Sequence, residues 1–520
     1  MTLIKKFATV ASGTLMSRIF GFVREMLMAA ALGTGPVSDA FNAAFRFPNT
    51  FRRFFAEGAF NAAFVPLFSK KITEDGKETA CQFAEEVFGV LFSLLLLLTI
   101  AMELSMPFLV RTLIAPGFAE DATKFNATIH FTAIMFPYLT CMSLAAMMGG
   151  MLNALRRYFV AAIAPLFLNI ILIGVLAYAW IYQLDAWYIG LNLSWGVMAA
   201  GMLQLILIAI ALRRNGMKIS FRRPHFSPNV RKLLILAFPA AITGGITQIN
   251  LLINTNIASS QSGAVSSLVY ADRLYQLPLG VVAIAVATVL LPELTRAIRS
   301  KKHKETHDLQ NRAIELTLLL TLPASVAFLL LSNPIVSLLF ERGQFTSQST
   351  YHVAQLLELY GLGLPAFVLI KVFIPNFFAR EDTKTPMIFT GICVFINVSL
   401  ALTLFPILSA RGIVIAEITS GWVNTLLLCC VLIKRGYWKY DAQLIKRITH
   451  LIIATFFSMI VLYYMLDFLS FPLSLQASFF LRAGTLAGIM IVIILVYFIA
   501  YFLFDIRSFF LALKNFKQRL

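Results

Sequence analysis

From Phe7 to Phe504 the chain alternates long apolar runs with short polar breaks. A helix needs about 20 apolar residues to cross ~30 Å of hydrocarbon. Fourteen runs meet that need, over residues 7–33, 37–68, 87–109, 129–153, 159–181, 189–212, 231–257, 265–295, 311–337, 352–378, 386–408, 411–433, 447–467 and 479–504. All are predicted to be helices, because in lipid every backbone amide must be satisfied within its own segment and these runs are far longer than barrel strands. Spans 37–68 and 265–295 exceed the bilayer requirement, so they are expected to tilt, or to kink at Pro48 or Pro278. The fold class expected is an all-α polytopic membrane protein.

The second span departs from the apolar pattern. At 100° per residue, Asp39, Asn42, Arg46, Asn49, Arg53 and Glu57 fall in one stripe about 80° wide. Phenylalanines, among them Phe41, Phe45, Phe51 and Phe55, cover the other faces. The first span adds Arg18, Arg24 and Glu25. An ionised side chain at bilayer depth costs at least ~2.5–3.5 kcal/mol, so the set requires a water-filled or protein-lined interior. Internal pairs (Asp39 with Arg46, Arg53 with Glu57, Arg18 with Glu25) would neutralise part of it. Arg18, Arg24, Arg46, Arg52 and Arg53 nevertheless outnumber Glu25, Asp39 and Glu57. An arginine-rich interior suits a phosphate-bearing ligand, because the guanidinium stays charged and offers paired donors to phosphate oxygens. The substrate expected is therefore anionic.

Further along, YADRLYQLPLG carries Asp272 and Arg273, with Tyr270, Arg273 and Gln276 on one helical face. Span seven bears a polar line through Thr243, Thr247, Asn250 and Asn254, which reads either as interhelical hydrogen bonding or as part of the same interior. Glu358 and Lys371 in span ten read most simply as an internal bridge.

Composition changes the picture in one respect: 59% of residues are hydrophobic and 13% charged, half the usual charge, which excludes a cytosolic enzyme. The formal net charge of +18 is placed by topology rather than by nucleic acid. With the termini and even-numbered loops on one side, 31 of the 43 Lys and Arg lie there and 4 on the other, so both termini are expected in the cytoplasm. The loop after span six concentrates Arg213, Arg214, Lys218, Arg222, Arg223, Arg231 and Lys232 with no acid, which reads as a topology anchor or, less simply, a lipid-headgroup contact. Arg18 and Arg24 interrupt the first apolar run, so it is expected to be an uncleaved helix. Cys81, Cys141, Cys393, Cys429 and Cys430 form no C-x-x-C pair and predict no disulfide framework.

At an offset of 228 residues, Gly35, Val37 and Ser38 superpose on Gly263, Val265 and Ser266, Pro137 on Pro365 and Asn169 on Asn397. Six helices separate the copies, so the halves share orientation, as in transporters whose path runs between two lobes. No G-x-x-x-x-G-K-[ST] phosphate loop occurs. His303 and His307 lack the context of a metal site, and the pairs Glu74-Asp75 and Glu381-Asp382 stand isolated among basic residues. Catalysis, a metal and a cofactor are not expected. The drive expected is the membrane potential, worth ~2.3 kcal/mol per charge per 100 mV.

The run SRIFGFVREMLMAAALGTGPVSDAFNAAFRFPNTFRRFFAEGAFNAAFVPLF, with LNALRRYFVAAIAP, YADRLYQLPLG and REDTKTP, closely resembles the MurJ (MviN) family. These are bacterial lipid II flippases of the multidrug/oligosaccharidyl-lipid/polysaccharide exporter superfamily. The resemblance covers essentially the whole chain. It implies an N-terminal lobe at 1–228, a C-terminal lobe at 229–440, a central cationic cavity, and a helix pair at 441–520 lining a groove for the polyprenyl tail. It also implies that a monomer in the bacterial inner membrane moves lipid II, undecaprenyl-pyrophosphoryl disaccharide-pentapeptide, from the cytoplasmic to the periplasmic leaflet. Family cavity positions match Arg18, Arg24, Arg52, Arg53, Arg273 and Asp39. With Asn49, Asn250 and Gln276 these make up the expected substrate-binding set. Some members place a glutamate where this chain has Gln276, so ionisation there is lost and hydrogen bonding kept. The alternative is a superfamily exporter of another lipid-linked sugar or of a drug.

Overall fold

The computed structural model describes residues 3–53, 59–285, 290–300, 302–469, 473 and 476–504. Glu57, both chain ends and the side chain of Thr243 lie outside the described residues. Eighteen α-helices and no strand occur among the described residues. They are α1 Leu3–Leu32, α2 Pro36–Arg52, α3 Ala59–Glu74, α4 Gly76–Leu104, α5 Met106–Leu109, α6 Ala122–Met135, α7 Tyr138–Ala154, α8 Phe159–Ile181 and α9 Ala186–Arg214. There follow α10 Pro228–Ala258, α11 Ala264–Ala285, α12 Leu291–Arg299, α13 His303–Phe340, α14 Ser347–Phe378, α15 Lys384–Leu408, α16 Ala410–Lys434, α17 Ala442–Phe468 and α18 Phe479–Phe504.

Local chemistry sets several boundaries. Asp121 caps α6 by accepting from the amides of Thr123 and Lys124, and Asp441 caps α17 through the Leu444 amide. Ser227 caps α10, whose first residue is Pro228, where a missing amide costs nothing. Ten helical stretches are long and apolar enough to span a membrane, and they correspond to ten of the fourteen expected spans. The other four expected spans, 7–33, 37–68, 231–257 and 265–295, are helical wherever described, and they are the ones that carry the candidate charged and polar residues. Large apolar side chains such as Leu97, Trp180 and Phe395 lie exposed on the outer helix faces, as lipid permits.

By compactness the chain divides into two units, Met1–Ser266 with Arg342–Thr346, and Ser267–Glu341 with Ser347–Leu520. In the first, α1 packs on α8, α8 on α9 and α2 on α6 around Phe41, Phe131, Leu193 and Val197. α10 packs with α2 and α3, so this unit extends past residue 228, where the repeat offset divides the chain. In the second, α13 packs on α14, α15 on α16 and α14 on α16. The terminal pair α17–α18 is fixed to α13 near both ends. Glu315 accepts from Arg447 at 2.6 Å and from Tyr501 at 2.8 Å, while Arg482 donates to Ser337 at 2.6 Å.

Candidate functional site

Four charged residues of the first unit, Arg24, Glu25, Asp39 and Lys124, are buried in two clusters. In one, Arg24 on α1 donates to Asn169 Oδ1 on α8 at 3.0 Å and pairs with its neighbour Glu25. Asn169 in turn donates to the Ser17 carbonyl at 2.9 Å, which ties the polar face of α1 to α8. Both Arg24 and Glu25 are buried, at 7% and 3% exposure. The guanidinium is thus held in a fixed orientation by one charged and one neutral acceptor.

The other cluster centres on Asp39, which is fully buried in the first turn of α2. Its carboxylate accepts from Lys124 Nζ at 3.3 Å, Gly263 N at 2.6 Å, Ser266 N at 2.9 Å and Ser266 Oγ at 2.7 Å. Asp39 therefore acts as an N-terminal cap for α11, supplied from another helix, where the amides are unsatisfied and the dipole favours an anion. Gly263 can offer its amide because it sits at φ +76°, a conformation that L side chains rarely adopt. Lys124, from α6, also donates to Ser262 Oγ at 2.9 Å and lies over the Phe118 ring. With four donors converging on one carboxylate, α2, α6 and the start of α11 are locked together.

The rest of the stripe follows the face read from the sequence, but the pairs Asp39–Arg46 and Arg18–Glu25 do not form, and the third expected pair, Arg53 with Glu57, lies outside the described residues. Asn42 is buried and donates to the Ser38 carbonyl at 2.9 Å. Arg46 donates to Thr255 Oγ1 on α10 at 2.6 Å, not to Asp39. Arg18 is exposed and has no ion-pair partner among the described residues, so the expected Arg18–Glu25 pair is replaced by Arg24–Glu25. The physical reason is spacing: residues seven apart on one helix are about 10 Å apart along its axis, beyond ion-pair reach, so Glu25 pairs with adjacent Arg24 and Arg46 reaches Thr255 on a neighbouring helix. Asn49 is half-buried and accepts from Arg52 Nε at 2.8 Å, while Arg53 is exposed. Asn250 is half-buried on α10.

In the second unit, Arg273 is half-buried, and exposed Gln276 donates to Asp272 one turn away. Beside them the Tyr275 and Tyr360 rings stack at 4.3 Å, and the Tyr360 hydroxyl donates to Glu417 at 2.7 Å. Lys371 and Glu358 form no bridge; both are exposed and neither has an ion-pair partner among the described residues. The REDTKTP segment is a helix junction. Asp382 accepts from the Thr385 amide and hydroxyl and from Arg435, all within 3 Å. Partial burial pushes its carboxyl up, but these hydrogen bonds outweigh that and hold it below the ordinary carboxylate value.

Lys124, Ser262 and Ser266 were not singled out as site residues from the sequence. The available signal was the repeat, which aligns Ser38 with Ser266 and Gly35 with Gly263.

The family model described as lipid II flippase MurJ matches residues 28–503. A protein of Rhizobium meliloti (strain 1021), named "Probable lipid II flippase MurJ", is 66% identical over 96% of this chain and 93% of its own length. The "Lipid II flippase MurJ" of Burkholderia cenocepacia is 32% identical over 84% of this chain and 85% of its own. A solved structure of "Lipid II flippase MurJ, inward closed conformation" is similar with a TM-score of 0.80 at 26% identity, over 96% of this chain and 99% of that one. An inward-facing MATE family transporter of the MOP superfamily shares the fold at 16% identity, with a TM-score of 0.69 over 82% and 98% of the two chains.

Proposed function

Because the chain belongs to the lipid II flippase MurJ family, we propose that it moves lipid II from the cytoplasmic to the periplasmic leaflet of the bacterial inner membrane by alternating access. The observation that carries this is the 66% identity along nearly the full chain to a protein named as a probable flippase, in a chain that buries the ion pairs Arg24–Glu25 and Lys124–Asp39 among its helices. It works without covalent catalysis, cofactor or nucleic acid, as a monomer with both termini in the cytoplasm. The N-terminal lobe (1–228) and C-terminal lobe (229–440) carry out the exchange.

Arg18, Arg24, Asn49, Arg52, Arg53, Asn250, Arg273 and Gln276 contact the pyrophosphate and sugars, the arginines through charge-assisted pairs. Asp39 joins them only after giving up its four donors, so the Asp39–Lys124 cluster serves as a latch. With a cytoplasmic N-terminus, α1 ends in the periplasmic leaflet, and the latch at the start of α2 is closed on that side before release. The residues at 441–520 hold the polyprenyl tail, since α18 carries no charge beyond Arg482. Moving a doubly charged headgroup out of a negative cytoplasm gains roughly 4.6 kcal/mol at 100 mV.

Depletion of the protein in cells, with lipid II quantified in each leaflet, tests the proposal. Lipid II should accumulate in the cytoplasmic leaflet. Normal distribution, with a different lipid-linked sugar accumulating instead, would favour the alternative exporter.

A further inference from the structure

The basic loop after α9 is more than a scatter of topology charges, because it is docked along α4. Lys77 donates to the Asn215 carbonyl, Cys81 to the Lys218 carbonyl, and the Ser220 amide to Glu85, each at 3.0 Å. The Ser227 hydroxyl donates to Glu86 at 2.7 Å, and Phe221 meets Phe92 edge-on. The Arg222 carbonyl lies so close to Gly89 that a Cβ there would meet it at 2.1 Å, so the docking requires glycine. A positive-inside anchor needs only charge and gains nothing from this order.

The docked loop closes one wall of a cleft of about 370 Å³, within the size range of small-molecule sites. Its walls are apolar side chains of α4, α7 and α9, including Phe88, Met148, Ile206 and Ala209, together with Met217 and Ile219 from the loop. Arg213, which is exposed, also lines the cleft. From Ile206 to Arg213 the cleft follows α9 for about 10 Å, roughly two-thirds of one leaflet's hydrocarbon depth. Arg213, Arg214, Lys218 and Arg223 are exposed and have no acidic partner among the described residues. The nearby acids are committed elsewhere: Glu85 holds the loop backbone, and Glu86 holds Ser227 and pairs with Arg222 at 3.7 Å.

We propose that this cleft binds a phospholipid of the cytoplasmic leaflet bearing an anionic headgroup, with one acyl chain along α9 and the phosphate on Arg213. The lining excludes a polar ligand. Arg213 on the cleft, with the other uncompensated cations of the adjoining loop, selects a negative headgroup, and the expected orientation puts them where anionic lipids lie. This site involves none of the residues assigned to the transported substrate.

The test is native mass spectrometry of the purified full-length protein with dioleoylphosphatidylglycerol or dioleoylphosphatidylcholine. Phosphatidylglycerol should be retained in preference to phosphatidylcholine. Arg213→Gln should reduce that retention about tenfold, whereas Arg231→Gln, the same charge change away from the cleft, should leave it intact. Ala209→Trp, which fills the cleft, should remove one bound molecule of either lipid. Equal losses from Arg213→Gln and Arg231→Gln, or undiminished retention in Ala209→Trp, would overturn the proposal. Displacement of the phosphatidylglycerol by undecaprenyl pyrophosphate would also overturn it, assigning the cleft to the substrate's own tail.

Discussion

Removing one partner of a buried ion pair is costly, and the Asp39 cluster makes the cost unequal between its two sides. Breaking such a pair destabilises by about 3–5 kcal/mol, because the remaining charge is left uncompensated. Lys124→Met leaves the carboxylate with three donors, two backbone amides and a hydroxyl. Asp39→Ala leaves Lys124 with the Ser262 hydroxyl and the Phe118 ring, and strips two amides of their acceptor. The lysine variant should fall near 3 kcal/mol and the aspartate variant near 5 kcal/mol. At 1.4 kcal/mol per tenfold, these are increases in latch opening of about 150-fold and about 4,000-fold. Hydrogen exchange at the Gly263 and Ser266 amides, which bond directly to Asp39, reads the opening. Asp39→Asn combined with Lys124→Met should recover much of the protection, since the charge is gone and an acceptor oxygen remains. If Lys124→Met exposed these amides as much as Asp39→Ala, the carboxylate would not be the centre of the latch.

Arg24→Ala should reduce flipping about 10- to 150-fold, from the ~1.5–3 kcal/mol of a charge-assisted contact. Arg24→Lys should retain part of the activity, and normal transport by the alanine variant would remove Arg24 from the headgroup site. Tags at Met1 and Leu520 should stay inaccessible from the periplasm, while a cysteine in place of exposed Asp467 should label from outside; periplasmic labelling of either end would refute the topology. Tryptophans along residues 484–498, on the face opposite the lipid, should slow transport without releasing α17–α18 from α13, and full activity would refute the tail groove.

The helices were legible in the sequence because lipid forces one answer on every apolar run of sufficient length. The stripe on α2 was legible as well, since a 100° period needs no partner to be seen. What periodicity could not supply was the identity of the partners. Asp39 lies 85 residues from Lys124 and 227 from Ser266, and nothing in one helix's pattern says which neighbour will meet it. Pairings read along a single helix therefore failed at Arg46 and Arg18, where the nearest acid on the same face was about two turns away. The repeat came closest, because aligning Ser38 with Ser266 marked two equivalent helix starts, one of which supplies the acid that caps the other. The ordered basic loop was visible as charge alone; Gly89 and the acids of α4 that hold it carried no recognisable signal.

The most direct measurement reconstitutes the purified protein in liposomes with fluorescent lipid II and follows its loss to a membrane-impermeant quencher while a potassium gradient with valinomycin sets the potential. Net movement of lipid II should run away from the negative side, accelerate as the potential rises and be abolished when Arg24 and Arg273 are both replaced by alanine. Movement at the same rate in protein-free vesicles, or net movement indifferent to the sign of the potential, would contradict electrically driven flipping by this protein.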